Sequence, residues 1–117
     1  MSEERAKRFN ELIKQELGKI LFDFLETKPG ILTTITRVTT TSELFHCDVF
    51  VSVYPAKEAE EIMEKLKRFV YQIQQLLNKK LKIRPVPKIR FIYDKNPEEA
   101  AEVEKIIIEE VNPHTHE

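Results

Sequence analysis

Apolar residues recur at spacings of three and four through the first part of the chain, which places them on one face of a helix. These residues are Phe9, Leu12, Ile13, Leu17, Ile20, Leu21 and Phe24. Ser2 is a suitable N-cap, and Glu3 and Glu4 suit the positive end of a helix. Pro29 and Gly30 predict that the helix has ended and that the chain turns.

The next stretch is typical of an antiparallel β-hairpin. Residues 31–41 include six threonines, and β-branched side chains prefer a pleated surface. Residues 41–44 are largely polar and predict a turn. Beyond the turn, apolar residues alternate with more polar ones at a period of two, so one set should face the core. That set is Cys47, Val49, Val51 and Val53.

A helical period returns after Pro55 and extends over residues 57–81. Its apolar positions are Ile62, Leu66, Phe69, Ile73, Leu77 and Leu81. The stretch is long for a small domain, and its pattern fits either one kinked helix or two consecutive helices. Pro85 and Pro87 exclude continuation of a helix. Residues 88–93 then alternate again, which predicts a third strand.

An acidic helix is predicted after the third strand. Asn96 is a suitable cap, Pro97 fits the first helical position, and the helix should extend to about Glu110. We expect one domain over residues 1–111 and a flexible tail over 112–117. The order helix, strand, strand, helix with a break, strand, helix predicts an α+β fold. In it, helices cover one face of a three-stranded mixed sheet.

Composition fits a cytoplasmic protein with a single core. The chain has 117 residues, of which 41% are hydrophobic and 33% charged, so it is too apolar for a disordered chain. No apolar run is long enough to cross a bilayer, and the first residues lack the pattern of a signal peptide. The single cysteine, Cys47, cannot form an internal disulfide.

The formal net charge of −1 conceals a strong segregation of charge along the chain. Residues 65–95 contain ten basic residues and one acid, Asp94, whereas residues 96–117 contain seven glutamates and one lysine. A phosphate backbone responds to the local potential, not to the average over the chain. The basic stretch therefore predicts a nucleic-acid interface. The alternative, an ordinary solvated surface, would intersperse charges of both signs.

We expect eight basic side chains to contact phosphates and to position RNA without reading its bases. They are Arg5, Arg8, Lys67, Arg68, Lys79, Lys80, Lys82 and Arg84. Arg5 and Arg8 join this surface only if the first helix packs beside the central helical stretch. Gln72, Gln74 and Gln75 would add polar contacts to ribose or phosphate.

The chain offers no convergent set of catalytic or metal-binding residues. With two glycines it contains no Gly-rich phosphate loop. Cys47 and His46 are neighbours on a strand, so they should point to opposite faces, and we favour an inert core thiol over a reactive one. His114 and His116 lie in the predicted tail without a third ligand. We predict no enzymatic activity and no cofactor.

Two aromatic residues share the less apolar face of the second strand. If exposed, Phe50 and Tyr54 would be able to stack on bases. We favour the alternative for Phe50, in which its ring packs against the flanking helices.

Several motifs of the chain resemble the ribosome-binding factor A family. Residues 36–38 (Thr-Arg-Val), 42–44 (Ser-Glu-Leu) and 48–53 (Asp-Val-Phe-Val-Ser-Val) are similar to the hairpin of that family. The segment from Leu81 to Asp94 is similar to its LRLRxVPxLxFxxD pattern and is the most specific match. The likeness covers roughly residues 5–95.

This resemblance implies a type II KH-like fold, α-β-β-α-α-β, with the acidic helix appended. It also implies a monomer that binds 16S rRNA of the small (30S) ribosomal subunit late in its maturation, with a role in growth at low temperature. Other assembly factors are possible partners, and neither a membrane nor catalysis is involved. In that family a kink between two helices replaces the GxxG loop of ordinary KH domains.

The chain departs from the family pattern at three places. Phe69-Val70-Tyr71 stands where the family usually carries AxG at the kink, and bulky residues there favour a more continuous helix. Residues 26–30 form a loop shorter by about two residues than that of the family. Gln74 stands where many members have arginine.

A second hypothesis is a KH-like protein-interaction module with nonspecific RNA binding. The acidic C-terminal helix, with Ile106, Ile107 and Ile108 in a row, would dock a partner or shield the basic surface. We favour plain core packing for that helix.

Overall fold

The computed structural model describes residues 3–25, 28–41, 43 and 45–95. In chain order they form helix α1, strands β1 and β2, a short 3-10 turn, helices α2 and α3, and strand β3. Their bounds are α1 Glu3–Leu25, β1 Leu32–Thr40, β2 His46–Tyr54, the 3-10 turn Ala56–Glu58, α2 Ala59–Arg68, α3 Val70–Lys80 and β3 Lys88–Tyr93.

Helix α1 buries the apolar stripe that its sequence predicts. Ile13 and Leu17 are fully buried, and the stripe continues through Ile20, Leu21 and Leu25. Lys65 of α2 donates a hydrogen bond of 3.3 Å from Nζ to the carbonyl oxygen of Leu25, the last residue of α1. A cation at this position satisfies a terminal carbonyl and complements the negative end of the helix.

The three strands form one mixed sheet with β2 in the centre. Strand β1 pairs antiparallel with β2, and β3 pairs parallel with β2 on its other side. The inward set of β2 is fully buried, as the alternation predicts, and comprises Cys47, Val49, Val51 and Val53. The predicted hairpin, third strand and α+β class are therefore confirmed.

The central helical stretch is two helices separated by one residue, Phe69. Its N–H donates to the carbonyl oxygen of Lys65 (3.0 Å), and its own carbonyl accepts from the N–H of Ile73 (3.1 Å). The ring of Phe69 packs edge to face against Phe24 of α1, with centroids 5.5 Å apart. The bulky residues at this position thus do not produce a continuous helix, because the ring of Phe69 is held by α1.

All three helices contribute to one core on one face of the sheet. Its fully buried helical residues include Leu66 of α2 and Ile73 and Leu77 of α3. On the other face, the β2 side chains are half-buried in the middle of the strand and exposed at its two ends, and no described helix covers them. The predicted N-cap Ser2, the acidic helix and the tail lie outside the described residues.

The two glycines provide a matched test of backbone conformation. Gly30 has a φ of 92°, whereas Gly18 lies within α1, and a Cβ added at either would meet no heavy atom within 4 Å. We expect Gly30→Ala to lower the free energy of unfolding by about 1 kcal/mol, because left-handed backbone is unfavourable for alanine. Gly18→Ala should raise it by about 0.5–1 kcal/mol. Urea denaturation measures both, and shifts of the same sign would contradict this difference between the two positions.

Candidate nucleic-acid interface

All eight predicted phosphate-binding residues are exposed, and the structure distributes them over two regions. Lys79 and Lys80 occupy the last turn of α3, and Lys82 and Arg84 follow within four residues. Lys67 and Arg68 occupy the last turn of α2, one helix length away. Since α3 has 11 residues, the two regions are separated by roughly 16 Å along its axis.

Arg84 folds back on the end of α3. Its Nη1 donates to the carbonyl oxygens of Leu81 (2.8 Å) and Ile83 (2.9 Å), and its Nη2 donates to that of Asn78 (3.2 Å). These contacts satisfy carbonyls that a helix end leaves unpaired. Arg84 therefore holds the α3 terminus and the following loop together, and only part of its guanidinium remains for a ligand.

Helices α1 and α3 pack side by side in opposite directions. Phe24, near the end of α1, contacts Phe69, immediately before α3. Asn10, in the first half of α1, accepts a hydrogen bond of 2.5 Å from Thr40 at the end of β1.

Further along α3, Gln74 bonds to Ile89 of β3. Ile89 and Thr40 lie in one row of the sheet, since both pair with Cys47. The end of α3 is therefore on the side of the first half of α1, where Arg5 and Arg8 lie. The condition for these two arginines to join the basic surface, helices packed side by side, is met.

Lys67 and Arg68 face different neighbours. Lys67 lines a groove together with Val70 of α3 and with residues of all three strands, among them Lys88 and Tyr93 of β3. The guanidinium carbon of Arg68 lies 5.8 Å from the ring centroid of Phe69, within the range of a cation–π contact. The helix break thus presents two cations at the point where the chain changes from α2 to α3.

Lys88 and Arg90 are exposed cations on β3 that belong to the basic stretch of the sequence but not to the eight predicted phosphate contacts. Arg90 forms a two-pronged ion pair with Asp48, with distances of 3.1 Å from Nε to Oδ1 and 3.2 Å from Nη2 to Oδ2. Asp48 lies beside Arg90 because β2 and β3 pair in this register. This pairing joins distant parts of the chain, so the local sequence pattern does not predict the ion pair.

Gln74 has a structural role that differs from the predicted RNA contact. Its Nε2 donates to the carbonyl oxygen of Pro87 (3.1 Å) and to Oδ1 of Asn78 (3.0 Å), and its Oε1 accepts from the N–H of Ile89 (2.9 Å). The side chain is half-buried between α3 and β3. It fixes the start of β3 against α3, so the expected ribose or phosphate contact is wrong for Gln74.

The favoured packing of Phe50 against the helices is also wrong. Phe50 lies half-buried on the face of the sheet away from the helices, and the guanidinium carbon of Arg37 lies 4.0 Å from its ring centroid. Tyr54 is 51% exposed. The structure therefore agrees better with the alternative in which Phe50 and Tyr54 are accessible on the face away from the helices.

Cys47 and His46 point to opposite faces, as the strand alternation predicts. Cys47 is fully buried, whereas His46 is exposed. The pKa of the Cys47 thiol is raised to about 11, and burial is the largest cause. The nearby carboxylate of Asp48 also raises the pKa, whereas a hydrogen bond with the Thr40 side chain lowers it. The predicted core position of the thiol is confirmed.

Within the described part of the chain, no three His, Cys, Asp or Glu side chains are grouped so as to hold a metal ion. Over the same residues, no helix combines the length and apolar character needed to cross a bilayer. His114 and His116 lie outside this part.

The sequence profile described as ribosome-binding factor A matches residues 5–107. The chain is 33% identical over 109 residues to ribosome-binding factor A of Halothermothrix orenii, covering 92% of this chain and 88% of that protein. It is 32% identical over 98 residues to ribosome-binding factor A of a Picosynechococcus species, covering 81% and 75%.

Two structures of relatives share the fold. One is a solution structure of a putative ribosome-binding factor A from Thermotoga maritima, with a TM-score of 0.66 and 25% identity over 84% of this chain and 94% of that one. The other is a homology model of ribosome-binding factor A of Thermus thermophilus, fitted into a cryo-electron-microscopy map of a complex with 30S. Its TM-score is 0.58 at 18% identity, covering 71% and 88%.

The role of Gln74 gives a stability prediction with a control on the same helix. Gln74→Ala leaves the N–H of Ile89 and the carbonyl of Pro87 without their partner, so we expect unfolding to become easier by about 1–3 kcal/mol. Gln75→Ala, at an exposed position, should change stability by less than about 0.5 kcal/mol. Equal effects in urea denaturation would show that Gln74 does not anchor β3.

The raised pKa predicts slow alkylation of Cys47. With a pKa of about 11, only about one thiol in a thousand is ionised at pH 8, and the thiolate is the nucleophile. We expect iodoacetamide to react at least about a hundredfold more slowly with the folded protein than with the protein in urea. A cysteine placed at exposed Thr39 in a Cys47→Ala background is the control. Equal rates at the two positions would contradict burial of the thiol.

Proposed function

The chain belongs to the ribosome-binding factor A family, and we propose that it binds the small ribosomal subunit through 16S rRNA and assists a late step of its maturation. The observation that carries this proposal is the family match across residues 5–107. The matched residues include the exposed cations at the end of α3 and at the helix break. The Thermus thermophilus relative fitted into a 30S complex supports the same partner.

The proposed mechanism is binding without catalysis. The cations around the end of α3 contact phosphates on one side of an RNA junction, and those at the helix break contact a second segment. Because a rigid core fixes the spacing of these two regions, bound RNA is held in one arrangement until the subunit is complete. Phosphate contacts of this kind position RNA and carry little sequence preference.

The setting of this activity follows from the partner. We propose that the protein acts as a monomer in the cytoplasm, where bacterial subunits mature, and that it matters most during growth at low temperature. Misfolded RNA helices are longer-lived in the cold, so a protein that holds the correct arrangement has its largest effect there.

Salt dependence is the first test of subunit binding. Each neutralised phosphate releases counterions, so log affinity should fall linearly with log salt. We expect the protein to co-sediment with immature small subunits at low salt and to dissociate at high salt. Absence of co-sedimentation at low salt would reject the proposed function. Binding to any RNA, with no preference for the subunit, would favour the alternative interaction module.

A triple substitution tests the region at the end of α3. Lys79→Gln, Lys80→Gln and Lys82→Gln together should weaken subunit binding and reduce the salt slope by about 0.9 for each phosphate that the protein no longer neutralises. Arg84 stays intact, because it holds the helix end.

The matched control makes the same lysine-to-glutamine change at three exposed positions elsewhere, Lys19, Lys28 and Lys57. Its affinity should remain close to that of the unmodified protein at each salt concentration. Equal losses of affinity in the two triple variants would mean that net charge, and not this region, determines binding. Thermal melting of both variants confirms that they fold.

A further inference from the structure

A β-bulge in β1 determines the direction of Arg37. The register of β1 against β2 shifts between Ile35 and Arg37. In a regular strand these residues, two apart, would share one face, and Ile35 is buried. The extra residue, Thr36, changes the alternation, so Thr36 and Arg37 are both exposed while Val38 returns to the core. The bulge therefore places Arg37 on the open face of the sheet, the face away from the helices. A regular strand would direct this cation into the core.

Thr36 links the bulge to β2 and to the residue that follows β3. Its hydroxyl donates to Oδ2 of Asp94, just beyond β3, at 2.6 Å and lies 3.3 Å from the carbonyl oxygen of Phe50 in β2. The position of Arg37 is thus set by contacts that span the whole width of the sheet.

The guanidinium of Arg37 lies over the ring of its cross-strand partner Phe50. Its central carbon is 4.0 Å from the ring centroid, and the contact holds the planar group against the aromatic face. Within the residues that the structure describes, no hydrogen bond or ion pair engages this guanidinium. Arg90 on the same face, by contrast, is held by Asp48.

We propose that Arg37 and Phe50 form a stacking site for an unpaired RNA base. Unpaired bases stack on aromatic rings and on arginine planes, and Arg37 offers one such plane with its N–H donors available to the adjoining phosphate. The site presupposes the RNA binding proposed above and adds to it a preference for single-stranded segments, on the face of the sheet opposite the helices.

The charges around the stack suit an anionic strand. Two carboxylates lie on or beside this face, and both are engaged: Asp48 pairs with Arg90, and Asp94 accepts from Thr36. Lys88 is exposed in the row next to Arg90. The three exposed cations on this face therefore outnumber the two carboxylates on or beside it.

The test compares variants that separate stacking from charge. Arg37→Lys keeps the positive charge but removes the plane, Arg37→Ala removes both, and Phe50→Leu removes the aromatic face with little loss of volume. Arg90→Lys is the control on the same face. The probes are a short fluorescein-labelled single-stranded RNA of mixed sequence and its duplex, with binding followed by anisotropy. Co-sedimentation of each variant with immature small subunits is measured in parallel.

We expect Arg37→Lys, Arg37→Ala and Phe50→Leu each to weaken single-strand binding by about tenfold, since one base stack has that magnitude. Duplex binding should change by less than about twofold, and Arg90→Lys should bind as the unmodified protein does. Thermal melting verifies that each variant is folded.

Three results would overturn the site. The first is wild-type affinity in Arg37→Lys with weaker binding in Arg37→Ala, which identifies a simple charge contact. The second is equal weakening in Arg90→Lys, and the third is unchanged binding in every variant, as expected if residues 96–117 or a protein occupied this face. If the unmodified protein binds subunits and the Arg37 variants bind equally well, the inference fails and the proposed function stands. If the unmodified protein does not bind subunits, the proposed function itself fails.

Discussion

The burial of one face of β2 is the constraint on which the other described elements depend. Its four inward residues are fully excluded from solvent, and β1 and β3 reach the sheet only through hydrogen bonds to this strand. The helices cover the same inward face, so their packing is possible only if β2 keeps its register. A shift of one residue would turn the valines to solvent and bring Asp48 and Phe50 into the core. The positions of the basic residues on α2 and α3 are therefore set indirectly by β2.

Periodicity was sufficient to predict α1 and the three strands, since each of them depends on local spacing. The stripe of α1, the alternation of β2 and the apolar positions of β3 each appear in the sequence at the spacing that the structure uses. The break at Phe69 was not determined by local pattern, because bulky residues at that position are compatible with a continuous helix. Its ring contacts Phe24, far earlier in the chain, and this contact exists only after α1 has packed.

Predicting the interface was harder, because a count of cations does not reveal which are already engaged. Lys65 bonds to the end of α1, Arg84 to the end of α3, and Arg90 to Asp48. Each of these contacts stabilises the fold and occupies N–H donors that would otherwise be available to a ligand. The neutral side chain of Gln74 gave no local indication that it would join α3 to β3. Arg37 lies outside the basic stretch altogether, and only the bulge brings it to the open face.

The bulge at Thr36 also affects how the protein behaves at high concentration. Strand β1 lies at the edge of the sheet, and an exposed edge strand is a template on which another molecule can add a strand. A second strand laid along β1 would lose its register at the bulge, where one extra residue interrupts the ladder. Interrupted by the bulge and carrying the charge of Arg37, this edge is a poor surface for intermolecular sheet formation. The irregularity that orients Arg37 thus also protects the folded protein against aggregation through its own sheet.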